Sequence, residues 1–405
     1  MARPPAAREV ARRGLARRLG VAVAGLEDQR QPLVALDLAA LDANAVDLTR
    51  RAGGTPVRVA SKSIRVPEVL RRVLARPGYA GVLAYTLREA LWLVEHGVTD
   101  DAMLGYPSVD RGALARLCGS EAARAGVTLM VDDVAQLDLV PDPRGVRVAI
   151  DVDAGWRHDR VGALAVGPRR SPLRSAGDVV SLARGVVGRG FHLRGVMTYE
   201  GQVAGVPDAV PGARVRSAVV RRLKAASLEQ LAERRAAIAE ALAEVTDLEL
   251  WNAGGSGDVA EAASDPVVTE VAAGSGLLVP ALFDHYRSFE PRPAVFFGVP
   301  VVRRPGPGVV TVAGGGFVAS GAAGPDRLPL PWAPPGLSLT RLEGAGEVQT
   351  PLTGRAADAL SIGDLVWFRH AKSGELMEHT DVVHLVDGDR VAASVPTYRG
   401  LGLAW

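Results

Sequence analysis

The sequence predicts a TIM-type (β/α)8 barrel of the α/β class, followed by a C-terminal all-β domain. Three observations carry this. From residue 56 onward, short β-branched or apolar runs alternate with longer stretches of helical periodicity, the pattern of parallel strands joined by crossover helices. Eight such units fit into about 220 residues, close to the ~250 usual for a closed barrel. After about residue 288 the helical periodicity stops, Gly and Pro rise, and short strand-like runs follow. A doubly wound open sheet is the alternative arrangement of the same β/α units.

In chain order, residues 1–29 read as an N-terminal arm or helix. The segment "MARPPAAREVARRGLARRLG" is rich in Arg and nearly free of acid, and it lacks the apolar centre of a secretion signal. Residues 30–287 are assigned to the barrel. Their opening run, "PLVALDLAALDANAVDLTRRA", gives a strand and a helix ahead of the first barrel strand, and that strand could belong to either domain. The eight barrel strands are "PVRVA" (56–60), "GVLAY" (81–85), "DAMLGY" (101–106), "VTLMVD" (127–132), "VRVAIDVD" (146–153), "HLRGVMTY" (192–199), "LELWNAGG" (248–255) and "TEVAAGSG" (269–276). Helical patterns lie between them, including "TLREALWLVEH" and a long one over 216–245. Residues 288–405 form the β domain, with runs such as "AVFFGVPVV", "VVTVAG", "DLVWFRH", "VVHLV" and "RVAASV".

Composition excludes several functions. The 405 residues carry 47 basic and 45 acidic side chains, a net charge of +2, so nothing points to nucleic acid or an anionic membrane as partner. No apolar run is long enough to span a bilayer. The single cysteine, Cys118, rules out an intramolecular disulfide and favours a reducing, cytoplasmic setting.

The most informative detail is lysine usage. The chain has three lysines against forty-four arginines, and one of the three, Lys62, sits in "RVASKSIR" just past the first strand. Catalytic groups of such barrels stand at the C-terminal ends of strands. An amine can form a Schiff base with an aldehyde and arginine cannot, so a lysine kept here reads as functional. Lys224, within "RRLKAA" on the long helix, reads as a solvated charge. If Lys62 holds pyridoxal phosphate, something must hold the phosphate. "NAGGSGD" after the seventh strand and "AAGSG" after the eighth are glycine-rich turns that let backbone N–H groups approach an anion.

These motifs together resemble the pyridoxal-phosphate enzymes of fold type III. Within them the chain is most similar to the D-threonine aldolase and D-serine dehydratase group, which shares its N-terminal barrel with alanine racemase. The resemblance spans most of residues 30 to 400. It implies that Lys62 is the Schiff-base lysine and that Tyr199, in "GVMTYEG", lies beside the cofactor. It further implies that Gly254, Gly255, Ser256 and Gly257, with Gly274 and Ser275, hold the phosphate. It implies a homodimer as well. Members of the group carry His-x-Asp or His-x-Cys in the β domain as ligands of a divalent metal. Here "FRHAKSGELMEH" offers His370 and then Lys372, and a protonated lysine has no lone pair to give. The expectation is that the metal site is absent, with Glu375, His379 and Asp381 as the residues that could rebuild it. Lys372 would then supply positive charge or a proton at a substrate hydroxyl, and His370 would act as acid or base near neutral pH.

Further candidates for binding an amino-acid substrate are Arg157 and Arg160, with His158, in "DVDAGWRHDRVG", and Tyr106 at the end of the third strand. Tyr398 and Arg399 in "VPTYRGLG" could reach the active site of a partner subunit. The expected function is a pyridoxal-phosphate-dependent lyase for D-configured 3-hydroxy amino acids, by retro-aldol cleavage or dehydration. The alternatives are an amino-acid racemase, a non-catalytic pyridoxal-phosphate carrier, and a cofactor-free barrel lyase or binding scaffold.

Overall fold

The structure, a computed structural model, describes residues 5–158, 164–290 and 292–405. Eight parallel strands close into a barrel: Val57–Ala60, Tyr79–Ala84, Ala102–Leu104, Val127–Val131, Arg147–Asp151, His192–Thr198, Leu250–Ala253 and Glu270–Ala273. The last pairs back on the first through Val271 and Val57, which excludes the open sheet. Each predicted barrel strand is present, because its β-branched and small apolar residues fill the space between strands and surrounding helices. The interior also holds a polar layer. Arg58 pairs with Glu270 at 2.7 Å and with Asp101 at 2.9 Å, and Asn252 donates to Glu270 at 2.8 Å. These groups satisfy one another where water is absent.

The helices show why their sequences are helical. Leu87–Glu95 starts at Thr86, whose hydroxyl accepts from the Glu89 amide, and buries Leu87, Ala90, Leu91 and Leu93. The long helix Arg214–Ala243 is polar over most of its surface. It is fastened by Leu231, Ile238 and Leu242, and by Arg235, whose guanidinium pairs with Glu200 and Asp265.

The second sheet has nine strands among the described residues. Its centre is Val295–Gly306, flanked by Val309–Ala313 and Leu365–Arg369, with Val382–Asp387 and Arg390–Pro396 further out. The strand Leu33–Asp37, open between domains in the sequence, lies in this sheet. It runs antiparallel to Val295–Gly306 and parallel to Val382–Asp387. Its five residues are all buried, since one face meets the barrel side and the other the N-terminal helix. That helix, Pro5–Ala24, packs Leu19, Ala22 and Val23 on Phe296, Trp367 and Val386. Three strands escaped the sequence pattern: Leu330–Ala333, Ser338–Leu339 and Gln349–Thr353. They are short, two of them contain a proline, and only their neighbours make them strands. No described helix is long and apolar enough to cross a membrane.

Candidate active site

Lys62 occupies the single turn Ser61–Ser63 that ends the first barrel strand. Its side chain is exposed at the C-terminal mouth, and Nζ donates to the Tyr106 hydroxyl at 2.6 Å. Burial pushes the Tyr106 phenol up. The positive charges of Lys62 and Arg170, with their hydrogen bonds, outweigh that and leave it lowered. Tyr106 comes from the end of the third strand, so the first and third strands bring these two groups together.

The two glycine-rich turns face this lysine and interlock. The Ser256 hydroxyl accepts from the amides of Gly274 and Gly276, and the hydroxyls of Ser275 and Ser63 are 3.1 Å apart. The Gly254 amide, at φ +73°, donates to Glu200, and the Gly255 amide donates to Asp258. Glu200 is itself fixed by Arg235, so the long helix reaches the turn through one buried ion pair. A Cβ on Gly257 would stand 2.1 Å from the Ala204 carbonyl oxygen, and one on Gly274 2.5 Å from that of Ala60. Among the described residues, the amides of Ser256, Gly257 and Ser275 donate to no protein acceptor. A buried cradle with free amides and no room for Cβ atoms suits a phosphate. Burial, and then the nearby Glu200, raise the Asp258 carboxyl well above its usual range. Tyr199 lies beside it, its ring 3.4 Å from the Cβ position of Gly255, and burial raises its phenol to about 12.

Arg170 was not anticipated. Its guanidinium lies 5.7 Å from the Tyr106 ring centroid and 5.8 Å from that of Tyr199. It also lines a cavity of about 640 Å³ with Asp153, Arg157 and Arg169. "GPRRSP" carries no periodicity that would mark it, and only barrel closure brings it over both rings. Asp151, at the end of the fifth strand, is the other unanticipated group. Burial, and then the nearby Asp132, raise its carboxyl to about 7.

Lys372 is half-buried in the β domain, and Nζ donates to Ser320 at 2.7 Å. Burial lowers its pKa, Glu375 opposes this, and the charge of Lys62 lowers it further. The two lysines therefore feel each other's field across the mouth.

Other candidates stand elsewhere or act differently. His370 is only 4% exposed, and burial together with Arg369 pushes its pKa down to about 3. It is neutral at physiological pH, which corrects the expectation of acid–base work near neutrality. Arg157 lines the cavity, but Asp153 holds it at 2.5 Å. Arg160 lies outside the described residues. Tyr398 is 1% exposed within its own chain and donates to Glu89 at 2.7 Å, so it does not face a substrate. Arg399 pairs with Asp381 at 3.1 Å on the surface. Lys224 is not the solvated charge expected. Its side chain is 11% exposed, 3.5 Å from Asp208, and over the Tyr286 ring that packs against Gly257.

The three residues that could rebuild a metal site have other partners in the structure. Glu375 accepts from the Ser320 amide, His379 stacks on Phe317, and Asp381 pairs with Arg399. Among the described residues, no group of three or more His, Cys, Asp or Glu side chains is placed to hold a metal ion.

No protein-family description and no curated protein matches the chain. Solved structures do. D-threonine aldolase from Filomicrobium marinum superposes with a TM-score of 0.74 at 21% identity, covering 92% of this chain and 96% of that one. D-threo-3-hydroxyaspartate dehydratase from Delftia sp. HT23 gives 0.70 at 19% identity, over 93% and 98%. Alanine racemase from Oenococcus oeni gives 0.56 at 12% identity, over 84% and 89%. The chain thus has the barrel-plus-β-domain fold of fold type III. Within that fold, its likeness extends along nearly the whole length of the aldolase and the dehydratase.

Proposed function

We propose that this chain is a pyridoxal-phosphate-dependent lyase acting on D-configured 3-hydroxy amino acids. The observation that carries the reading is Lys62 at the first strand's end, bonded to Tyr106 and facing two interlocked glycine turns that exclude Cβ atoms. The likeness to an aldolase and a dehydratase supports the choice of reaction class. Lys62 would hold the cofactor's aldehyde, the turns at Gly254–Gly257 and Gly274–Ser275 its phosphate, and Tyr199 would line it. When bound, the cofactor supplies an electron sink for charge developing at the substrate Cα.

The chain's own residues supply the rest. Arg170 offers a guanidinium free of any carboxylate partner within bonding distance among the described residues, suited to a substrate carboxylate. Lys62 donates a hydrogen bond to the Tyr106 hydroxyl, which places a phenol beside the amine. Lys372 faces the same mouth from the β domain. In its neutral form, favoured by burial, it takes the proton from the β-hydroxyl, which is what Cα–Cβ cleavage requires. In its protonated form it returns a proton to a departing hydroxide, the need of a dehydratase. The lowered pKa favours cleavage. A homodimer is part of the proposal.

The deciding experiment incubates the cofactor-loaded protein with D-threonine and D-serine. Glycine plus aldehyde marks cleavage, ammonia plus keto acid marks dehydration, and the L-isomer marks racemisation. Cleavage or dehydration that is lost in Lys62→Arg supports the proposal. No product from either amino acid overturns it.

A further inference from the structure

We propose that Glu89 and Tyr398 are positioning residues for Lys62, bracing from behind the turn that presents it. The inference rests on the reading of Lys62 as the cofactor's lysine.

Glu89 has no exposed surface, and among the described residues no cation is bonded to it. One carboxyl oxygen accepts from the Tyr85 amide at 2.8 Å and the other from the Tyr398 hydroxyl at 2.7 Å. The Ser61 hydroxyl, one residue before Lys62 and fully buried, donates to Leu83 O at 3.2 Å and also interacts with the Glu89 carboxyl. Burial raises Glu89 to about 7. A carboxyl in such a place is unfavourable for folding alone, and an apolar side chain would fill the space more easily.

The Lys62 turn is held from its other sides too. Arg65 follows it at φ +55°, a left-handed conformation that a non-glycine residue keeps only under constraint. Its amide donates to Ser61 O and its Nε to Lys62 O, while Nη1 pairs with Glu378 at 2.6 Å. The Tyr398 amide donates to Arg65 O at 3.0 Å. Gly374 of the β domain packs so tightly that a Cβ would lie 2.0 Å from Lys62 O. The backbone around Lys62 is therefore gripped, while among the described residues its amine bonds only to Tyr106. A reacting group must be fixed to within a fraction of an ångström, and such bracing does that. Tyr398 is in turn seated by Trp92 and Trp405, at ring distances of 6.2 and 6.0 Å.

The test strips full-length protein of cofactor, adds pyridoxal phosphate and follows the band near ~420 nm expected of a lysine-bound cofactor. Tyr398→Phe and Glu89→Leu should slow its appearance by about tenfold or more in folded protein. Glu89→Gln, neutral and of the same shape, should stay within about twofold of the unmodified rate. Unmodified rates in both Tyr398→Phe and Glu89→Leu overturn the inference, as does an equal slowing in Glu89→Gln. If one of the two slowed variants fails to fold, the other decides. No band in the unmodified protein overturns the cofactor reading itself, and that outcome is distinct from the others.

Discussion

Lys372 shows what a single side chain can decide. Its Nζ donates to Ser320 in the β domain, and the charge of Lys62 helps lower its pKa. Lys372→Met should therefore lower kcat by about 100-fold, the scale of a lost general acid or base. Lys372→Arg should not restore Cα–Cβ cleavage, because a guanidinium keeps its proton. The unmodified enzyme should gain activity as pH rises through the lowered pKa of Lys372, a limb that either variant loses; a pH–rate profile with D-threonine reads this. Lysine scarcity marked Lys62 and Lys372 as special and left Lys224 as a solvated charge. Lys224 proves to lie beside Asp208 and over the Tyr286 ring that packs against Gly257. Its burial was not legible, because a helix rich in arginine on every face gives no sign of which turn meets a neighbour.

Among the elements, the two glycine turns were the most legible. Glycine clusters at strand ends are rare unless backbone must come close to something. The structure supplies that something at Gly257, where the Ala204 carbonyl and the Tyr286 ring leave no room. Gly257→Ala should displace the turn, destabilise the fold by about 1–3 kcal/mol and weaken pyridoxal-phosphate binding. Equilibrium dialysis with the cofactor measures the second effect, and unchanged affinity would remove this turn from the phosphate site. The ion pair behind it, Glu200 with Arg235, could not be read from the sequence. Its partners lie far apart in the chain, and nothing local distinguishes a buried arginine from an exposed one. The same holds for the strand Leu33–Asp37, whose apolar run suits either sheet until pairing partners are known.

At the scale of the whole molecule, buried titratable groups set how stability follows pH. Glu89 keeps its proton in the folded chain to about 7 rather than 4.5, with Tyr398, Tyr85, Ser61 and Arg65 around it. A group with a raised folded pKa favours the folded state at low pH, and this contribution fades as pH climbs from about 4.5 to 7. His370 works in the other sense, favouring the folded state above its unfolded value and withdrawing that as pH falls toward about 3. Glu89→Gln should flatten the fall in stability above pH 4.5, as read by urea unfolding at a series of pH values. By itself the sequence determined the barrel with its β domain, the lysine at the first strand's end and the glycine turns opposite it. Those signals are local: periodicity, residue scarcity and glycine placement. Only the tertiary structure decided that Arg170 reaches both tyrosines, that His370 is too buried to titrate near neutrality, and that Tyr398 braces the barrel from within. Burial and charge environment belong to the packed chain, and no stretch of residues carries them alone.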